Sequence, residues 1–195
     1  MGRKRTISDE ELLETARAAF VELGIAAPAK EIARRAGVSE GVLFQRFTTK
    51  EDLFFAAMIP PAGGDLSPLL ANPDLGGREL IRRATLQLTA YFRLILPSFI
   101  PLISHPAFRF EEFALRHPQS PLFRLRFQLV ELAIRERQAG RIGDAPAPSV
   151  AALIWSTAFT IAFFEQIGAH GGRIDDSIVT GAIETLWTGL APRNG

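Results

Sequence analysis

The sequence predicts an all-α protein, and three observations support this fold class. Apolar residues recur at spacings near three and four along most of the chain and seldom at two. Glycine, proline and N-capping residues separate these runs at the places where helices begin and end. With 195 residues, of which 47% are hydrophobic, and a formal net charge of +1, the chain is long and apolar enough to bury a core.

The composition also excludes several classes of protein. The chain has no cysteine, so it is not a disulfide scaffold, a zinc finger or a cysteine-nucleophile enzyme. The three histidines form none of the helical pairs that hold metals, and no phosphate-binding glycine loop occurs. We therefore expect no metal, no cofactor and no enzymatic activity. No secretory signal follows Met1, which together with the absence of cysteine favours a cytoplasmic location.

A stretch rich in proline and glycine predicts the division of the chain. Eight such residues fall between Pro60 and Gly77, too many for one regular helix. We expect an N-terminal domain at 1–60, a connector at 61–77 and a C-terminal helical domain at 78–195.

Four helices are expected before the connector. Ser8 and Glu11 form a capping box for the first, which Gly24 ends. Pro28 suits the first turn of the second, which ends at Gly37. The third and fourth begin at caps supplied by Ser39 and by Thr49 with Asp52. Five further helices follow the connector, at Arg78–Leu96, Ala107–Arg116, Leu122–Ala139, Ser149–Gly168 and Asp176–Gly189, which makes about nine in all.

The predicted helix at Ser149–Gly168 is apolar enough to raise the question of whether the protein spans a membrane. No charged residue lies between Asp144 and Glu165, and a bilayer needs about twenty apolar residues. Two prolines and several hydroxyl side chains shorten the continuous apolar run, which favours a buried helix in a bundle or dimer and no membrane partner.

The second and third helices, joined by the turn at Gly37, form a helix-turn-helix over about 28–47, which predicts binding to double-stranded DNA. Leu43 and Phe47 face inward, so the opposite face of the third helix meets the bases: Gln45 suits adenine, Arg46 guanine or a phosphate, and Phe44 a thymine methyl. Gly41 allows close approach of the backbone. The candidate DNA-binding residues are Arg3, Lys4, Arg5, Lys30, Ser39, Glu40, Gly41, Phe44, Gln45, Arg46 and Lys50. For the isolated cations, a solvated surface is the alternative.

The charge distribution agrees with this assignment. Between Lys30 and Lys50 five basic residues face two acids, a net +3 that the total of +1 hides. The acids of the first third gather between Asp9 and Glu14. A near-neutral total predicts modest non-specific affinity for DNA and dependence on a few contacts.

A family resemblance is carried by residues 31–47, which read EIARRAGVSEGVLFQRF, and by residues 50–53, which read KEDL. This segment resembles the DNA-binding domain of the TetR family of bacterial transcriptional regulators, over roughly Ile7 to Met58. The resemblance implies a homodimeric, all-helical repressor whose variable C-terminal domain binds a small molecule and thereby releases DNA.

The sequence departs from the family pattern at three places. Phe44 stands where a phosphate-binding tyrosine is usual, and Val42 stands where threonine is frequent. Residues 27–29 are Ala-Pro-Ala in place of polar residues. These departures shift the expected affinity toward Lys30, Arg46, Lys50 and the N-terminal arm. They also keep open an alternative, a helical carrier of small molecules or lipids that no longer binds DNA.

One motif points formally to hydrolase chemistry. Residues 37–41 match G-x-S-x-G, but that nucleophile elbow requires a strand before the serine and a nearby histidine and acid. Here a helix precedes Ser39, which has a complete role as a helix cap.

The C-terminal domain suggests a ligand and a partner. It holds ten of the 15 phenylalanines, which most simply form the core but can also surround an apolar cavity for a small hydrophobic or aromatic effector. The candidate pocket residues are Tyr91, Phe92, Phe113, Phe127, Gln128, Thr157, Phe163 and Glu165.

The last two helices predict a homodimer, because both are apolar around much of their surface and two of them from each subunit can form a four-helix interface. The candidate interface residues are Trp155, Phe159, Ile178, Val179, Ala182, Ile183, Leu186 and Trp187. A twofold axis would favour a palindromic operator.

Overall fold

The computed structural model describes residues 7–118, 120–169 and 171–191. Those residues form ten α-helices and no strand, so the predicted all-α class is confirmed. The helices are α1 (Asp9–Leu23), α2 (Ala29–Ala36), α3 (Glu40–Arg46), α4 (Lys50–Met58), α5 (Ser67–Leu70), α6 (Gly77–Ile103), α7 (Phe110–Arg116), α8 (Pro121–Gln138), α9 (Ala147–Gln166) and α10 (Asp176–Leu190).

Three helices differ from the sequence prediction. Helix α7 begins at Phe110, three residues after the predicted start at Ala107. The predicted connector contains the four-residue helix α5, which is the tenth helix. Helix α6 was expected to end at Leu96 but continues through Pro97 and Pro101 to Ile103. A proline removes one backbone donor and crowds the preceding turn without always ending a helix, and here the helix continues past both prolines.

The predicted helix ends in the first 60 residues are confirmed. Ser8 and Thr49 form complete capping boxes at α1 and α4. The Ser39 hydroxyl accepts a hydrogen bond from the amide of Val42 at the start of α3. Gly37 ends α2 with a φ of 69°, a left-handed conformation that favours glycine.

The described chain forms two compact units. The first unit comprises residues 7–60 and Pro97–Phe113. Its α1 packs against α2 and α4, and α2 packs against α3. The rings of Phe20 and Phe54 pack edge to face in its core, with 5.2 Å between ring centroids. Fully buried side chains come from all four helices, including Leu12, Ile32, Leu43 and Leu53.

The second unit comprises residues 61–96 and the described residues from 114 onward. Helix α8 packs against α9, and α9 packs against α10. Its core contains Leu88 and Phe92 of α6, Leu129 of α8 and Ile154 of α9, all essentially buried.

An ion-pair cluster joins three helices of the second unit. Arg93 of α6 donates two hydrogen bonds to the Glu165 carboxylate of α9, both 2.8 Å long, and a third to Asp176 of α10. Glu165 also accepts the Ile174 amide. Hydrogen bonds from Arg93 lower the pKa of Glu165 despite its burial. The cluster fixes the C-terminal end of α9 to its neighbours.

Residues 61–77 form a strap along α8. Near the start of the strap, Tyr91 donates to the Pro61 carbonyl, and Gln128 accepts the Leu66 amide. Near its end, the Gly77 amide donates to Glu136 over 2.6 Å. Because successive strap residues meet successive turns of α8, the connector is a packed element.

Helices α6 and α9 are long and apolar enough to cross a membrane by length and composition alone. Both have one side buried in the helical packing, and core helices of soluble proteins pass the same test.

Candidate nucleic-acid interface

Helices α2 and α3 are joined by a turn with well-defined hydrogen bonds. The Val38 amide donates to the Ala33 carbonyl over 3.0 Å, which closes the end of α2. Pro28 precedes α2 without a side-chain cap, as its sequence implies. The turn directs α3 away from the axis of α2, which is the arrangement that places a recognition helix in a groove of DNA.

The two sides of α3 differ sharply. Leu43 is fully buried, whereas Phe44 is 39% exposed and Gln45 is exposed. Glu40 and Gly41 lie exposed one turn earlier. The structure therefore places the four base-facing candidates on the accessible part of α3.

Gly41 leaves a gap on that surface. A Cβ atom built there would find the Ser39 hydroxyl at 3.8 Å as its nearest contact. The glycine is therefore not required by packing within the protein. Its absent side chain instead leaves room for a close external surface.

Two cations flank α3 in the chain. Lys30 lies exposed in the first turn of α2, and Lys50, half-buried, begins α4. Neither forms an ion pair with another residue in the described ranges. Both ammonium groups are available for an anionic partner.

The other basic residues of α2 are neutralised within the protein. Glu31 accepts hydrogen bonds from Arg34 and Arg35, each 2.8 Å long, and these lower its pKa to about 2. Arg35 also pairs with Glu22 of α1 at 2.6 Å. The predicted net charge of +3 between Lys30 and Lys50 therefore overstates the positive charge available there.

Arg46 has a structural role that the sequence prediction missed. Its guanidinium donates to the Ile7 carbonyl and to the Asp9 carboxylate, each over 2.9 Å, and its side chain is 23% exposed. The bonds tie the end of α3 to the start of α1. Its charge and its place on α3 marked Arg46 as a DNA contact, because nothing local in the sequence pairs it with Asp9 and Ile7, which lie 37 and 39 positions earlier.

Replacing Arg46 by alanine should lower the free energy of unfolding by about 1–2 kcal/mol, since two charge-assisted hydrogen bonds are lost from a partly exposed site. Urea denaturation followed by circular dichroism measures the change. The neighbouring exposed variant Gln45→Ala serves as control and should stay within about 0.5 kcal/mol of the wild type. Equal stability of the two variants would contradict the structural role of Arg46.

Ser39 acts as the cap of α3, and the helix α2 that precedes it removes the context of a hydrolase nucleophile elbow. Among the described residues no group of three metal-binding side chains occurs. The predicted contacts Arg3, Lys4 and Arg5 lie outside the described residues.

The residues predicted to line an effector pocket have varied surroundings. Phe113 lies in the first unit, and the other seven lie in the second. Phe127 is 75% exposed, and Phe92 packs in the core. Gln128 uses its amide on the strap, and Glu165 pairs with Arg93. The Tyr91 phenol also binds the strap, the Thr157 hydroxyl donates to the Leu153 carbonyl, and Phe163 stacks on Phe159.

The residues predicted at a dimer interface also divide into groups. Val179 and Ile183 are fully buried within the protomer, so they belong to its core. Ile178 is 60% exposed. The remaining candidates are half-buried: Trp155, Phe159, Ala182, Leu186 and Trp187. Helical periodicity identified apolar positions but not which side of α10 faces inward.

Helix α3 packs on α2, buries Leu43 and exposes Phe44 and Gln45 beside the open position of Gly41. Two lysines that form no ion pair among the described residues, Lys30 and Lys50, flank it in the chain. These features together define a helix-turn-helix DNA-binding protein. Residues 12–57 match the family described as "Bacterial regulatory proteins, tetR family". The match covers most of α1 and α4 and all of α2 and α3, so this N-terminal part of the chain is similar to the DNA-binding region of that family.

Solved structures extend the likeness to the whole chain. A protein of Mesorhizobium loti MAFF303099, provisionally described as a TetR-family transcriptional regulator, is 17% identical with a TM-score of 0.67, over 94% of this chain and 96% of that chain. A transcriptional regulator of the TetR/AcrR family from Thermobifida fusca YX-ER1 is 20% identical with a TM-score of 0.65, over 92% and 97%. A TetR family transcription regulator from Marinobacter aquaeolei VT8 is 19% identical with a TM-score of 0.62, over 94% and 95%. At these identities the likeness shows the fold.

Proposed function

We propose that the protein is a ligand-responsive bacterial repressor that leaves its operator when a small hydrophobic effector binds the second unit. The observation that carries the DNA-binding role is the exposed side of α3, where Phe44 and Gln45 stand beside the open position of Gly41. These residues supply one apolar contact, one bidentate hydrogen-bonding group and close backbone approach. Lys30 and Lys50 supply phosphate contacts on either side.

The proposed repressor is a homodimer that pairs α9 and α10 of two subunits. Support comes from the exposed apolar side chains of these helices, among them Leu153, Phe164 and Ile178. No charge interrupts α9 before Glu165. A twofold pair would present two α3 helices to half-sites of a palindromic operator, about 34–36 Å apart or somewhat more. A sedimentation experiment showing only monomer at micromolar concentration would contradict this arrangement.

We place the repressor in the cytoplasm, where its operator is. The apolar surfaces of α6 and α9 then serve the core and the dimer and do not meet lipid. Support comes from the resemblance of the whole fold to DNA-binding regulators.

The test of DNA binding compares two variants of α3. Gly41→Leu fills the gap beside Ser39, so we expect it to abolish specific binding while the fold keeps its stability or gains about 0.5–1 kcal/mol from better helix propensity. Gln45→Ala should weaken binding about tenfold to hundredfold. Fluorescence anisotropy with the DNA upstream of the protein's own gene measures both, at two salt concentrations to separate specific from electrostatic binding.

The matched control is Gln138→Ala, an exposed glutamine at the end of α8 in the second unit. It should bind DNA as the wild type does. If the wild type selects no sequence from random DNA, the repressor proposal is rejected. The alternative function, a helical carrier of small molecules or lipids, is then favoured. The departures from the family pattern at residues 27–29 and at Phe44 support that second function.

A further inference from the structure

A groove separates α8 from α9 on the surface of the second unit. Its volume is about 350 Å³. Six of the eight lining side chains are apolar, one is a serine and one is charged: Leu129, Val130, Pro148, Ala151, Ala152 and Trp155, with Ser156 and Arg126. None of these residues belongs to the set from which the sequence predicted an effector pocket, and Trp155 belongs to the set predicted at a dimer interface.

The charged side chain that lines this groove is unpaired within the described part of the chain. Arg126 is exposed and forms no ion pair or hydrogen bond with another residue of the described ranges. Arg135 of the same helix behaves differently, because it bonds to Glu136 and to two strap carbonyls as part of the packing. A guanidinium left without a partner at the edge of an apolar groove is a ready site for a planar anion.

The surroundings restrict the charge of that anion. Arg126 is the one cation that lines the groove, and Ser156 adds a hydroxyl. The shallower groove on the other side of Arg126 contains Glu131. Because the groove supplies one positive charge and the neighbouring groove a carboxylate, a monoanion is favoured over a phosphate or another polyanion. The planar two-oxygen geometry of a carboxylate fits the guanidinium fork.

The size of the groove restricts the body of the ligand. At about 30 Å³ for each water-sized group, 350 Å³ holds roughly twelve non-hydrogen atoms. That is the size of a carboxylate on an apolar chain of about ten carbons. The aliphatic walls and the Trp155 ring suit such a chain, whether linear or aromatic.

We propose that the α8–α9 groove binds a medium-chain amphiphilic carboxylate, with Arg126 holding the carboxylate and the α9 wall at Ala151 and Trp155 holding the chain. This inference rests on the proposed function only in making the ligand the effector of a repressor. The binding itself stands on the groove and its unpaired cation.

Trp155 gives the experiment a local probe. The chain has two tryptophans, so the Trp187→Phe variant leaves Trp155 as its one indole. Decanoate, with twelve non-hydrogen atoms, is titrated into this full-length variant, and Trp155 fluorescence is recorded. We expect a saturable change with decanoate and a weaker one with decanol, which has the same chain without the charge. No saturable change, or equal affinity for both compounds, overturns the proposal.

Two further variants in the same background identify the anion site. Arg126→Gln should weaken decanoate binding about tenfold or more and leave decanol binding unchanged. Arg137→Gln removes another exposed arginine of α8 that does not line the groove, and it should leave decanoate binding unchanged. Equal losses in the two variants would show a general charge effect and overturn the assignment of Arg126.

The role of the groove in regulation is measured separately. Decanoate added to the protein–DNA complex should release the DNA from the wild type at concentrations at which Arg126→Gln keeps it. If decanoate binds at Trp155 and the DNA stays bound, the binding site is supported and its effector role is rejected. If the protein binds decanoate but no DNA, the binding site is again supported, and the proposed repressor function fails alone.

Discussion

Replacing Glu136 by alanine should lower the free energy of unfolding by about 2–4 kcal/mol, because the hydrogen bonds of a buried carboxylate are lost while the two arginines it pairs with remain partly exposed to water. Glu136 is fully buried, and its carboxylate accepts hydrogen bonds from Arg135, Arg141 and the Gly77 amide. Without it the Gly77 amide loses its acceptor, and the two guanidinium groups lose their shared counterion. The end of the strap would then detach from α8.

The same carboxylate should make the free energy of unfolding depend on pH in the acid range. Burial alone would raise the pKa of Glu136, but the hydrogen bonds from Arg141, Gly77 and Arg135 outweigh it and lower the pKa. Below the ordinary glutamate pKa of about 4.3, the unfolded chain binds a proton that the folded protein does not. The stability that Glu136 provides is therefore complete above that pH and is lost as the pH falls through the folded pKa.

Urea denaturation at several pH values measures both effects. Glu136→Gln, which keeps the volume and removes the charge, should reduce the slope of stability against pH on the acid side by up to one proton, about 1.4 kcal/mol per pH unit. The control Glu131→Ala removes an exposed carboxylate of the same helix and should change stability by no more than about 0.5 kcal/mol. A loss below 1 kcal/mol for Glu136→Ala would contradict the proposed weight of this cluster.

The parts of the fold that the sequence predicted are those decided within a few residues. A capping box needs two side chains three positions apart, so Ser8 with Glu11 and Thr49 with Asp52 marked their helices correctly. Gly37 ended α2 for an equally local reason, its left-handed conformation. The accessible side of α3 followed from Leu43, because one strongly buried residue sets the orientation of a seven-residue helix.

The parts that were missed depend on contacts between distant positions. Arg46 meets Asp9 across 37 positions, and Gln128 meets Leu66 across 62. Composition showed the connector as a run of breakers and gave no sign that it packs along α8. In the sequence, an arginine that bonds two helices together cannot be distinguished from an arginine that binds a phosphate. The two roles differ in the group that the arginine contacts, and only the folded structure shows that group.

The strap gives a second large effect that the sequence hides. Gly64 has a φ of 69°, and a Cβ atom there would lie 2.8 Å from Cγ of Tyr91 and 3.0 Å from Cδ1 of Leu125. Alanine at this position meets both the left-handed conformation, about 1–2 kcal/mol, and overpacking, about 1–3 kcal/mol. We expect Gly64→Ala to lower the free energy of unfolding by about 2–5 kcal/mol.

Gly140 separates the two contributions. It has nearly the same φ, 66°, lies in the same unit, and has nothing within 4 Å of its missing Cβ. Gly140→Ala should therefore cost only the conformational part, about 1–2 kcal/mol. Tyr91 cannot easily move away from an alanine at 64, because its buried phenol, whose pKa burial raises to about 12, stays protonated and donates to Pro61. Equal losses for the two variants in urea denaturation would mean that the strap lies less closely on Tyr91 than the structure indicates, whereas a clear excess for Gly64→Ala would establish it as part of the second unit's core.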